Sequence, residues 1–337
     1  MIGAAIKRVM SGQNLTRDEM QAVFSDVMDG RATDVQKSAL LVALRMKGET
    51  PAEITGAALA MRERVTPLEV DREKLVDTCG TGGDGRGTFN ISTLAAIVAA
   101  AAGANVAKHG NRAVSSSCGS ADVLAELGVN IDLNAEAMAR VLRHVGISFL
   151  FAPKLHPAMG AVAAVRRELG VRTIFNVLGP LTNPAFARRQ VLGVYSDELV
   201  EVVADVLVSL GAIHALVVHS RDGMDEISVS ARTHVAEVRD GKVKTYEVSP
   251  DDFGVGTHDA ATLAGGDIRT NARIAREILA GRTGAGQDVV TANAGAALYV
   301  AGAARTLREG ATVAREAIMD GRADQKLRDL IEETRKQ

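Results

Sequence analysis

The chain has 337 residues, 47% hydrophobic and 24% charged, and 39 Lys and Arg against 41 Asp and Glu leave a net charge of −2; this suits two domains with sizeable cores and argues against a general nucleic-acid binder. Two cysteines, Cys79 and Cys118, cannot make a disulfide framework or a four-thiolate zinc site, which points to a reducing cytoplasm. Aromatics at 3% without Trp offer no base-stacking platform, no run of ~18 uncharged apolar residues suggests a membrane span, and Met1 to Arg8 lacks the order of a signal peptide.

From the N-terminus, three helix starts carry a capping box: Thr16 with Glu19, Thr33 with Gln36, and Thr50 with Glu53. The third also has Pro51 at the first helical position, where no N–H is needed. Apolar residues recur at helical spacing in Leu40, Leu41 and Leu44 and in Ile54, Ala57, Ala58 and Met61, and no strand is expected before Leu68. So small a helical unit buries little core alone. Its apolar face, with Leu40, Leu41 and Leu44 as candidates, is covered either by the same face of a second chain or within its own subunit, and periodicity does not separate the two.

Beyond Leu68 the pattern alternates. Strands are expected at Leu75–Thr78, Asn105–Ala107, Val129–Ile131, Ile147–Phe151, Gln190–Tyr195 and Ala212–His219. Helices are expected at Ser92–Ala102, Ala121–Leu127, Ala135–His144 and Glu198–Leu210. This alternation predicts a mostly parallel sheet covered by helices. Thr233–Val238 and Val243–Val248 flank Asp240-Gly241, a hairpin signal that adds an antiparallel pair. The last ~70 residues return to helical patterning.

The chemistry concentrates where the first strand meets Gly80-Thr81-Gly82-Gly83-Asp84-Gly85. The run satisfies G-x-G-x-x-G, which alone is weak. A Rossmann site wants an acidic residue about 20 positions on, and no Asp or Glu occurs from Gly85 through Ala121. A Walker A loop wants a lysine that Gly87-Thr88 lacks. The stretch instead holds Arg86, Lys108 and Arg112 among the hydroxyls of Thr88, Ser92, Thr93, Ser115, Ser116, Ser117 and Ser120. Glycine-rich backbone and a helix N-terminus suit an anion. A second loop, Asn111–Ser120, follows the next parallel strand, so both loops lie at the carboxyl edge of one sheet and suit a ligand with two phosphorylated ends. Asn90 and Ser92 either cap the helix or touch phosphate. Asp225 and Glu226 follow the strand ending at His219 and either form a solvated turn or hold Mg²⁺.

Together, Asp77-Thr78-Cys79-Gly80-Thr81-Gly82-Gly83-Asp84, Asn90-Ile91-Ser92-Thr93, Lys108 to Ser116, His156-Pro157-Ala158-Met159, Arg166, Thr173 to Pro184 and Asp225-Glu226 make the chain resemble the anthranilate phosphoribosyltransferases. The resemblance runs from about residue 15 to about 315, with Met224 in place of Leu and Gly160 in place of a basic residue as minor departures. It implies a nucleoside phosphorylase-like fold with a small helical domain at 1–68, returning around 165–185, and an α/β domain at 69–164 and 186–337. It implies transfer of the 5-phosphoribosyl group from 5-phosphoribosyl 1-diphosphate to anthranilate in tryptophan biosynthesis, by a Mg²⁺-dependent cytoplasmic homodimer that pairs through its helical domain. The implied phosphoribosyl-diphosphate contacts are Gly80, Gly82, Gly83, Asp84, Thr88, Asn90, Ile91, Ser92, Thr93, Lys108, Asn111, Arg112, Ala113, Val114, Ser115, Ser116 and Ser120. Gly80, Asn111, His156 and Arg166 are implied for anthranilate, and Ser92, Asp225 and Glu226 for two Mg²⁺ ions. Lys108 and Mg²⁺ stabilise charge, and no residue is singled out as an acid or base. A nucleoside phosphorylase of the same fold and a non-enzymatic phosphate- or nucleotide-binding module are the alternatives.

Overall fold

A computed structural model describes residues 1–113 and 118–337; the expected contacts Val114, Ser115 and Ser116 lie outside the described residues. Four helices come first: α1 (Ile2–Met10), α2 (Arg17–Met28), α3 (Asp34–Lys47) and α4 (Pro51–Arg62). Each of the three expected capping boxes forms, with Thr16, Thr33 and Thr50 accepting from the third helical N–H while Glu19, Gln36 and Glu53 reach back. Such a cap contributes about 0.5–2 kcal/mol. Glu53 does more than cap. It is fully buried, accepts from Leu15 N at 3.0 Å and pairs with Lys47 Nζ at 2.9 Å, so one carboxylate ties α2, α3 and α4 together.

The rest alternates: β1 (Leu75–Asp77), α5 (Ile91–Ala101), β2 (Asn105–Gly110), α6 (Ser120–Leu127), α7 (Ala135–Val145), β3 (Ile147–Phe151), α8 (Ala152–Leu155), α9 (Gly160–Leu169) and α10 (Phe175–Leu178). Then come β4 (Arg189–Gly193), α11 (Leu199–Ser209), β5 (His214–Ser220), β6 (Thr233–Arg239), β7 (Lys242–Val248) and α12 (Pro250–Phe253). The chain ends in α13 (Ile268–Leu279), α14 (Ala285–Ala301), α15 (Leu307–Met319) and α16 (Arg322–Arg335). One seven-stranded sheet has the order β3-β2-β1-β4-β5-β6-β7. The first five are parallel, and β6 and β7 add antiparallel at one edge. Asp240 and Gly241 turn that hairpin at φ 51 and 73°, the left-handed pair its tight twist requires.

Two apolar clusters cover the two faces. One joins α1–α4 to α9–α11 and to the sheet through Leu192, Val194 and Val217. The other holds α5, α7 and α14 against β1–β3. Helix α5 is apolar nearly all round because it is buried nearly all round, from Ile91 to Ala100. No helix among the described residues is long and apolar enough to cross a membrane.

One expectation is corrected, and one choice that periodicity left open is settled. Val129–Ile131 is irregular chain, because its polar backbone is satisfied elsewhere: Asn130 N and Nδ2 donate to Thr334 of α16 at 3.1 and 3.3 Å, and Asp132 N donates to Asn130 Oδ1. Leu40, Leu41 and Leu44 do not face outward: they are 0, 1 and 0% exposed inside their own subunit. The outward apolar residues of α1 and α3 are Met10, Val35 and Met46.

At the antiparallel edge Glu237 accepts from His214 Nε2 at 2.7 Å, Tyr299 OH at 2.8 Å and Tyr246 OH at 2.9 Å. Burial pushes its pKa up, but these three bonds outweigh burial and hold it down at about 2 against an ordinary 4.5. Its folded value lies below its unfolded one, so the stability is present above the ordinary value and is lost as pH falls toward 2. Glu237→Gln is therefore expected to lose roughly 1–3 kcal/mol at neutral pH, with the gap to wild type closing as pH drops, as read by denaturant unfolding at a series of pH values.

Candidate active site

The strands β1, β2, β4 and β5 end at the same sheet edge, so their following loops meet there. β1 ends in Asp77, fully buried, with His109 N donating to Oδ1 at 3.1 Å and Asn183 Nδ2 to Oδ2 at 2.7 Å. Burial pushes its pKa up to about 6 against the pull of Lys108. Lys108, from β2, is 3% exposed, and its ammonium donates to the Thr78 carbonyl at 2.9 Å. It forms the floor of the glycine loop.

In that loop Gly82 and Gly83 both take the left-handed conformation, at φ 64 and 76°. Thr81 N donates to Gly193 O at 2.8 Å, and Tyr195 N donates to Thr81 Oγ1 at 3.0 Å, so the loop is sewn to the end of β4. Gly82 N donates to Asp225 Oδ2 at 2.7 Å, and Asp225 N donates to Asp84 Oδ2 at 3.3 Å. Ser92 N, at the start of α5, donates to Glu226 Oε1 at 3.1 Å. The approach is close enough to need glycine: a Cβ on Gly193 would fall 1.5 Å from Asp225 O. Asp84, Ser92, Asp225 and Glu226, distant in sequence, thus converge beside a small cleft lined in part by Thr78, Gly80, Ser92, Glu226 and Asn293.

Burial, reinforced by Asp84, pushes the Asp225 carboxyl up, and burial reinforced by Asp225 does the same to Glu226. Negative charge crowded this way fits a divalent cation. Among the described residues no three His, Cys, Asp or Glu side chains form a closed metal cage. The donor set suits a hard cation that takes one or two carboxylates and fills its shell with water and ligand phosphates.

Of the residues heading α5, Ile91 and Thr93 are each 1% exposed, so their side chains belong to the core, while Asn90 and Ser92 are half-buried. Asn90 does not cap the helix with its side chain. Thr88 forms an isolated bridge with Ala264. In the second loop Arg112 is not an isolated cation: Nη1 pairs with Asp122 Oδ1 at 2.8 Å. Asp122 Oδ2 also accepts from Ala113 N and Gly119 N, both at 3.0 Å, and Ser120 Oγ and Ala121 N close on Asn111 O at 3.2 and 3.1 Å. One carboxylate, just past the acid-free stretch, pinches the neck of this loop.

His156 stacks near His109 with ring centroids 5.0 Å apart and Nε2 to Nε2 at 3.1 Å. His109 Nδ1 lies 3.2 Å from Gly179 O, which sets the tautomers: His109 donates through Nδ1 and accepts at Nε2 from His156. Burial, then His156, pushes His109 down to about 3, and burial pushes His156 down to about 4. Both rings are neutral near pH 7. Arg166, on α9, is half-buried over the Phe175 ring at 5.2 Å and has no carboxylate partner among the described residues; burial lowers its pKa. The neighbouring Arg172 reaches the glycine loop instead: it donates to Gly83 O and lies 4.3 Å over the Tyr195 ring. Sequence reading missed Arg172, and His109 was visible only as part of a motif. Cys79 is half-buried, and burial with Asp77 pushes its thiol up, so it is protonated packing.

A family model described as "Glycosyl transferase family, a/b domain" matches residues 72–324, and one described as "Glycosyl transferase family, helical bundle domain" matches residues 4–65. The chain is 58% identical over 334 residues to an anthranilate phosphoribosyltransferase of Anaeromyxobacter sp. (strain K), covering 99% of each chain. It superposes on the crystal structure of that enzyme from Thermus thermophilus with TM-score 0.93 and 45% identity, covering 98% of this chain and 99% of the other. It superposes on the Saccharomyces cerevisiae enzyme in complex with PRPP and Mg with TM-score 0.91 and 28% identity, covering 100% and 98%.

Proposed function

We infer the reaction from one premise: this chain belongs to the anthranilate phosphoribosyltransferase family. It transfers the 5-phosphoribosyl group of 5-phosphoribosyl 1-diphosphate to the amino group of anthranilate, giving N-(5-phosphoribosyl)anthranilate and pyrophosphate in tryptophan biosynthesis. The observation that carries this reading is the convergence of Asp225 and Glu226 on the amides of Gly82 and Ser92, which joins a cation-binding pair to an anion-binding loop.

Gly80, Gly82, Gly83, Asp84, Thr88, Asn90 and Ser92 hold the diphosphate and ribose, with Ile91 and Thr93 contributing backbone only. Asn111, Arg112, Ala113 and Ser120 frame the second phosphate loop. Ser92, through the diphosphate, would hold one Mg²⁺ and Asp225 with Glu226 a second, and the ions would supply charge neutralisation for the pyrophosphate leaving group. Lys108 adds fixed positive charge beneath the loop. Displacement at ribose C1 builds oxocarbenium-like charge, and the His109–His156 pair, held neutral by burial, adds no opposing charge. Gly80, Asn111 and His156 line the anthranilate side, where the Arg166 guanidinium forks onto the substrate carboxylate. The aromatic amine is a neutral nucleophile, so positioning carries much of the rate. The α/β domain comprises 69–164 and 186–337, and the helical domain 1–68 with its return at 165–185. The cytoplasm is the expected compartment.

Product formation, followed by loss of anthranilate fluorescence with 5-phosphoribosyl 1-diphosphate and Mg²⁺, tests the reaction. In that assay Arg166→Ala is expected to raise the KM for anthranilate about 10- to 150-fold, the scale of a lost charge-assisted bond of roughly 1.5–3 kcal/mol, and to leave the KM for the diphosphate near wild type. Equal weakening of both substrates would refute the assignment. The exposed Met10, Val35 and Met46 support a homodimer contact through α1 and α3. Light scattering is expected to give about twice the single-chain 35.3 kDa; the single-chain mass at micromolar concentration contradicts the dimer.

A further inference from the structure

A segment far from every motif braces both loops. Asn271, on α13, is 3% exposed. Its Nδ2 donates to Asn90 Oδ1 at 3.1 Å, and Asn90 Nδ2 in turn donates to Cys118 O at 3.1 Å. Asn271 Oδ1 accepts from Gly266 N at 2.8 Å. The chain just before α13 lies against the end of the glycine loop: Gly265 N donates to Gly87 O at 2.9 Å, and Phe89 N donates to Leu263 O at 3.3 Å. Gly265 is required there, since a Cβ would sit 2.8 Å from both Phe89 N and Asn271 Oδ1.

These bonds have a direction. An amide has one acceptor and one donor end. The Cys118 carbonyl can only accept, so Asn90 turns its NH₂ to it and its oxygen to α13, where Asn271 donates through Nδ2 and keeps its own oxygen on Gly266 N. Asn90 is therefore fixed in one of its two flip states at the head of α5, next to Ser92. It is also tied to the far end of the second loop, both ends of which Asp122 holds through Ala113 N and Gly119 N.

We propose that Asn271 is a positioning residue for phosphoribosyl-diphosphate binding: through Asn90 it sets the spacing of the two phosphate loops without touching the ligand. The proposal rests on the phosphoribosyl-transfer reading above. A merely structural Asn271 would lower stability and disturb both substrates together, or neither. A positioning Asn271 acts on one substrate.

The test is steady-state kinetics and thermal unfolding of Asn271→Ala, Asn271→Asp and Asp267→Ala. Asp267 caps α13 through Thr270 N at 2.8 Å, so its removal weakens the same helix while leaving the Asn271–Asn90 bond. The isosteric change Asn271→Asp keeps the acceptor for Gly266 N and loses the donor to Asn90, so it decides the matter if the alanine variant does not fold. Both Asn271 variants are expected to raise the KM for 5-phosphoribosyl 1-diphosphate roughly 10- to 100-fold, the scale of buried hydrogen-bonding groups left unpaired, with the KM for anthranilate within about 2-fold of wild type. Asp267→Ala is expected to lower Tm without moving either KM. A folded Asn271 variant with wild-type KM for the diphosphate, or one in which both KM values rise in step, overturns the proposal, as does an Asp267→Ala effect of equal size on that KM. Wild-type protein without phosphoribosyl transfer would instead contradict the family reading beneath it.

Discussion

Carboxylates that repel one another are held together by backbone amides of the glycine loop and of the start of α5. Asp225 and Glu226 crowd beside Asp84 where burial opposes their ionisation, and they stay because Gly82 N donates to Asp225 and Ser92 N to Glu226. Much of the neighbouring sequence answers to that crowding. Gly193 is glycine because the end of β4 must pass against the Asp225 backbone. Asn293, fully bonded inside α14, clamps Ile227 through both N–H and C=O at 3.0 and 2.9 Å, which fixes the residue after Glu226. The site is a set of backbone donors and side-chain acceptors already paired with one another.

The helical unit takes part in this through its continuity with one sheet face. The core of α1–α4 runs through α9–α11 to Leu192, Val194 and Val217, so the segment carrying Arg166 and Arg172 stands on the same packing as β4 and β5. Arg172 crosses from that segment to the Gly83 carbonyl. Any movement of the helical unit relative to the sheet therefore acts on the glycine loop directly, at the Gly83 carbonyl.

Local rules were readable where local chemistry decides. The three capping boxes, the Asp240-Gly241 hairpin and the strand–loop–helix around Gly80 each depend on residues within a few positions of one another, and each forms. Where the deciding partner is distant, the reading fails or falls silent. Val129–Ile131 alternates like a strand, but its polar groups go to Thr334, some 200 residues on. Leu40, Leu41 and Leu44 have the right period, yet period does not say which neighbour covers them. The partner of Arg112, Asp122, begins where the acid-free stretch ends, so that stretch alone did not show the pair. Arg172 and Asn271 act on the loops from segments without any motif. The order of motifs along the chain, by contrast, was enough to reach the family.

Thermal unfolding with each ligand alone and with both together tests most directly whether the glycine-loop amides and the Asp225–Glu226 pair serve a single ligand of diphosphate and cation. Mg²⁺ and 5-phosphoribosyl 1-diphosphate together are predicted to raise Tm by roughly 5 °C at saturating concentration, well beyond the sum of the separate shifts. The same stabilisation by the diphosphate in the presence of a chelator would contradict it.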